Sequence, residues 1–141
     1  MKIFSHQNKK TFNVSLMHAS ENGYTALAKR LINKGADVNS ADKYGWTALM
    51  NASCEGHTET VKLLIDAGAN VNAVSKNTKI NALLLAAKYG YTEIAKLLID
   101  KGVDVNAAGA CHYQGNTALM IASKYGNTEI ANLLLDAGAE A

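Results

Sequence analysis

The sequence predicts an all-α fold, a solenoid of stacked helix-turn-helix units joined by short β-hairpin fingers. Two observations carry this. First, glycines recur with one period: Gly23, Gly56, Gly90 and Gly126 are separated by 33, 34 and 36 residues, and Gly35, Gly68, Gly102 and Gly138 repeat the same intervals. Second, Thr25, Thr58, Thr92 and Thr128 follow the first glycine set at a constant offset of two. A fixed period in this range marks an architecture in which each unit buries its apolar face against the next.

Each part of the unit has a physical task. The first glycine of each pair ends a first helix, where the backbone needs a left-handed residue. The threonine after it is expected to cap a second helix, with Glu59, Glu93 or Glu129 in the first turn favourable to the helix dipole. The run "ETVKLLIDA" places apolar residues at helical spacing, and Gly68 stops that helix. "ANVNA" then reads as a short extended arm of a hairpin. The first helices open at "TALMNAS" and "TALMIAS", with Thr47 and Thr117 as N-caps.

The stretches "GWTALMNASCEGHTETVKLLIDAGANVNA" and "GNTALMIASKYGNTEIANLLLDAGA" resemble the ankyrin repeat. Ala48 and Ala118 stand where the family motif has proline, a mild departure because alanine is a good helix former. The resemblance covers residues 10 to 141 and implies one domain over 1–141, with repeats at about 9–41, 42–74, 75–108 and 109–141. The finger before the third repeat is one residue longer than that before the second, and the finger before the fourth is three longer. In solenoids such insertions fall on loops of one face.

The end repeats differ from the internal ones. Arg30 replaces the leucine found at Leu63, Leu97 and Leu133. Val14 stands where Thr47 caps, so the first helix is expected to begin irregularly, capped by Ser15. Residues 1–12 are expected to cover the N-terminal edge, with Phe4 or Phe12 packing down. Repeat four keeps the internal pattern at Ile130, Leu133, Leu134 and Leu135, which predicts a poorly capped C-terminal face. A monomer or weak self-association through that face is expected.

Composition limits the function. The chain is 48% hydrophobic and 18% charged, which is globular composition. A net charge of +2 is no nucleic-acid footprint. No apolar run approaches a membrane span, and "MKIFSHQNKK" lacks the core of a secretory signal, so a cytoplasmic protein is expected. Two cysteines, Cys54 and Cys111, are no disulfide scaffold, and their placement two repeats apart puts a bond out of reach. The sequons at Asn13 and Asn51 read as chance.

Enzyme signatures are missing: no G-x-S-x-G, no H-E-x-x-H, no phosphate-binding loop and no dinucleotide glycine pattern. No catalytic residue, cofactor or metal is assigned. His57 stands where the resemblance implies a structural histidine. Cys111 and His112 read as a solvent-facing loop. "DVN" at 37–39 and 104–106 lacks the spacing of a calcium loop.

The resemblance implies a module that binds another protein on its concave face, built from finger tips and the exposed side of each first helix. By position these are Lys43, Tyr44, Trp46, Cys54 and Glu55 in repeat two, and Asn77, Thr78, Ile80, Lys88 and Tyr89 in repeat three. In repeat four they are Tyr113, Gln114, Asn116, Lys124 and Tyr125, and in repeat one Lys10, Thr11, Asn13, Glu21 and Asn22. The only tryptophan and four of six tyrosines fall in this set, and such side chains are typical hot spots. The alternatives are a regulatory segment of a larger enzyme or channel, a secreted bacterial effector, a designed scaffold, and, least, a nucleic-acid binder.

Overall fold

The computed structural model describes residues 5–110 and 115–140. Among them are eight helices: α1 (Ser5–Asn22), α2 (Thr25–Asn33), α3 (Ala48–Glu55), α4 (Thr58–Asp66), α5 (Ala82–Tyr89), α6 (Thr92–Asp100), α7 (Ala118–Lys124) and α8 (Thr128–Asp136). They pair as α1–α2, α3–α4, α5–α6 and α7–α8. The odd helices pack on one another in sequence, and so do the even ones. The result is a two-layer stack of four helical hairpins around one continuous apolar core, running from Leu16 and Ala19 to Ile130 and Leu134.

The connection inside each pair explains the constant glycine-to-threonine offset. Gly56 and Gly90 take the left-handed conformation, with φ of 76° and 78°. The next residue then closes the helix behind it: Tyr24, His57, Tyr91 and Asn127 donate their N–H groups to the carbonyls of Ala19, Ala52, Ala86 and Ala122 at 2.8–3.0 Å. These four residues adopt φ near −80° and ψ near +75°, and Thr25, Thr58, Thr92 and Thr128 donate their N–H groups two residues back to the glycine carbonyls. That is an inverse γ-turn. The threonines are therefore the first helical residues, and no side-chain cap bond forms at these four helix starts. This corrects the capping role expected for them. A cap residue needs an extended backbone, and the γ-turn does not provide one.

The odd helices do have caps. Thr47 and Thr117 accept from the N–H groups of Met50 and Met120 at 3.3 and 3.4 Å, and Asn81 accepts from Leu84 at 2.8 Å. Helix α1 departs from the expected irregular start at Ser15: it runs without a break from Ser5. No glycine or proline interrupts the chain before Gly23. Phe12 and Leu16, one turn apart, lay an apolar stripe on the core. Phe4 lies outside the described residues.

The fingers are short hairpin loops with almost no strand. "ANVNA" makes a turn, with Ala73 N–H donating to the Asn70 carbonyl, where an extended arm was expected. The only β pairing among the described residues is two isolated bridges, Ala41 with Thr47 and Ala108 with Thr117. An asparagine ladder ties these turns together between repeats. Asn39 Oδ1 accepts from Asn70 N–H at 2.7 Å, Asn72 from Asp104 at 2.8 Å, and Asn106 from Glu140 at 2.9 Å. Within each turn Asp37, Asn70 or Asp104 accepts from the N–H two residues on. The recurring D/N-V-N phrase is thus a repeat-to-repeat clamp.

Candidate protein-binding face

The face is built on the finger tips and the C-terminal ends of the odd helices. In the first finger Asp42 Oδ1 accepts from the N–H groups of Tyr44 and Trp46 at 2.8 and 3.0 Å, and Gly45, at φ +81°, completes the turn. A Cβ at Gly45 would meet the Lys76 backbone nitrogen at 2.8 Å, so the second finger lies directly on the first. Backbone bonds chain the fingers: Lys76 N–H donates to the Tyr44 carbonyl and Ala110 N–H to the Thr78 carbonyl, at 2.9 and 2.8 Å. The tips are therefore held in register as one surface.

Three tyrosines stand out from it: Tyr44, Tyr89 and Tyr125 are each about half exposed or more. Each carries its preceding lysine over the ring. Lys43, Lys88 and Lys124 place Nζ 5.1, 5.3 and 5.8 Å from the ring centroids of Tyr44, Tyr89 and Tyr125. The face repeats one Lys–Tyr unit three times.

Ile80 is a correction. The sequence places it on the exposed tip, and the structure buries it. Ser75 N–H donates to the Ile80 carbonyl, and Ile80 N–H donates back to Ser75 Oγ. This closed loop turns the side chain inward onto Met50 and Leu85, where Trp46, Cys54 and Ala73 pack against it. Trp46 is accordingly half-buried, one wall of this small second cluster, and Lys88 is half-buried beside it. Glu55 and Lys124 are exposed, and Asn116 is half-buried with its carbonyl accepting from Gly109 N–H. Tyr113 and Gln114 lie outside the described residues.

Two grooves open on this side. One, of about 310 Å³, lies between the first two fingers and is lined by Lys43, Tyr44, Trp46, Lys76, Thr78 and Ile80. The other, of about 440 Å³, lies between α1 and the first finger and includes Lys10, Met17, His18, Glu21, Asp42 and Asn51. Lys10, Asn13 and Glu21, expected on this face by position, line the second groove, whereas Met17, His18 and Asn51 were not among the expected residues.

Cys54 sits under the face. Its burial pushes the thiol pKa up, and Glu55 adds to this, while Lys88 and a hydrogen bond with Tyr89 pull it back. Burial, then Glu55, likewise raises the Tyr91 phenol. His57 is structural: its Nε2 lies 2.9 Å from the Glu21 carbonyl, and its ring covers Gly23. Among the described residues no three His, Cys, Asp or Glu side chains converge to hold a metal, and no helix is long and apolar enough to cross a membrane.

The comparisons agree with this architecture. The family model for ankyrin repeats, in three copies, matches residues 3–75 and again 72–141. No curated protein matches the chain. Ankyrin repeats are a protein-interaction fold, generally without catalytic activity. The glycine period, the paired helices and a match over nearly the whole length lead to one conclusion: the chain belongs to the ankyrin-repeat family.

Proposed function

We propose that this chain binds another protein through the face formed by its finger tips and odd helices, as an adaptor, scaffold or inhibitor. The observation that supports the reading most is the threefold Lys–Tyr unit, with Tyr44, Tyr89 and Tyr125 exposed on a backbone-locked surface. Tyrosine supplies large contact area at little entropic cost, and rigid aromatic anchors carry most of the energy at interfaces. The lysines favour a partner surface with acidic groups around apolar pockets. The groove between the first two fingers offers such an anchor a seat beside Lys43 and Lys76.

The test is capture from a lysate of the source cells by the wild-type chain and by Tyr44→Ala/Tyr89→Ala/Tyr125→Ala, with helicity and melting matched. A partner held by the wild type and lost by the variant supports the reading. A partner held equally by both removes the binding site from this face.

A further inference from the structure

We infer that copies of this chain associate head to tail, with the outer face of repeat one of one copy docking on the outer face of repeat four of another. The internal junctions supply the template. At each, the residue after the helix-ending glycine reaches back onto the glycine of the repeat before it. A Cβ at Gly23 would meet the His57 ring at 2.5 Å, at Gly56 the Tyr91 ring at 2.7 Å, and at Gly90 the Asn127 side chain at 3.0 Å. Gly126 holds the same left-handed conformation, φ +73°, and its seat is empty. Tyr24 is the matching knob at the other end. It has the same backbone turn as Tyr91, and its side chain is 59% exposed.

The surroundings of knob and seat match in the same way. Leu27 occupies the position of Thr60 and Ile130, both fully buried against the preceding repeat, yet it is 46% exposed. Thr60 meets Thr25 hydroxyl to hydroxyl at 2.8 Å, so the equivalent contact between copies sets Leu27 against Thr128. On the receiving face Met120 is 45% exposed where Met50 is 1%, and Leu135 is 53% exposed where Ile65 is 8%. Charge favours the same pairing. Residues 1–41 carry six basic and two acidic side chains, and residues 109–141 carry one basic and three acidic. A basic head meets an acidic tail. Because the two patches differ, the contact is heterologous, so it adds copies with concentration beyond a two-fold dimer, to a ring or an open chain.

Sedimentation velocity over a wide concentration range tests this, using the wild type, Tyr24→Glu and Leu135→Glu. Both substitutions are at exposed positions, and circular dichroism checks the fold. The wild type is expected to grow in mass with concentration, less so in high salt, and each variant alone to stay monomeric. Mixing the two variants restores one intact contact and gives a one-to-one complex that grows no further. A wild type that is monomeric throughout overturns the proposal, as does a Tyr24→Glu chain that still self-associates. A second check is oxidation of a Leu27→Cys/Thr128→Cys chain with both native cysteines changed to serine. A ladder of covalent oligomers supports the proposal, and monomers alone overturn it.

Discussion

At Gly56 two requirements coincide. The backbone is left-handed at φ +76°, and an added Cβ would lie 2.7 Å from the Tyr91 ring. Gly68 meets only the first requirement: its φ is +96° and nothing lies within 4 Å. Alanine in a left-handed position costs about 1–2 kcal/mol. Gly68→Ala should therefore lose about that much stability in chemical denaturation, and Gly56→Ala clearly more. Equal losses would mean that Tyr91 moves aside freely. The sequence showed that both glycines were needed. It could not show that one is also a seat, because the contact comes from a residue 35 positions away and exists only once the repeats stack. Cys54 is legible in the same partial way. Its half-buried thiol, raised by burial and Glu55, stays protonated at neutral pH. In a Cys111→Ser chain its alkylation should be slower than in the unfolded chain, and should rise with pH through a range above that of an exposed thiol. A rate equal to that of the unfolded chain would contradict the packing of Cys54 beneath Trp46 and Ile80.

At the scale of the element, the helix starts divide into two kinds. Asn81 is a buried N-cap, accepting from Leu84 N–H at 2.8 Å, and Asn81→Ala should cost about 1–2 kcal/mol. Thr128 begins α8 without a cap bond, and Thr128→Ala should cost within about 0.5 kcal/mol. Reversed magnitudes would restore the capping role that the bare sequence suggests for Thr128. The confusion has a physical source. Glycine-x-threonine serves equally as a helix stop followed by a cap or as a γ-turn, and only the ψ of the middle residue separates them. The stretch before the fingers was misread for a similar reason. "ANVNA" has the alternation of a strand, but Asn70 Oδ1 closes its own turn by accepting from Asn72 N–H, and Asn72 Oδ1 accepts from Asp104 N–H in the next turn. Ile80 was expected on the exposed tip by its position in the repeat, whereas the loop closed by Ser75 turns it in.

Across the whole molecule, the period alone established the order of helices, their pairing and the continuous core, because each unit can bury its apolar stripe only against a like neighbour. Tyr44, Tyr89 and Tyr125 could be placed by position in the repeat, and all three are exposed. What the sequence did not show is how they are presented. The lysine over each ring is a contact between sequence neighbours, while the finger-to-finger bonds from Lys76 to Tyr44 and from Ala110 to Thr78 arise only once the repeats stack. Those bonds hold the finger tips in register, the preorganisation that the proposed binding mode calls for. The most direct measurement is hydrogen exchange of the chain alone and in complex with its captured partner. Slowed exchange is expected at residues 42–47, 76–80, 88–90 and 124–126, with α4 and α6 unchanged on their outer sides. Protection confined to α2, α4, α6 and α8 would contradict it and move the binding site to the opposite layer of the stack.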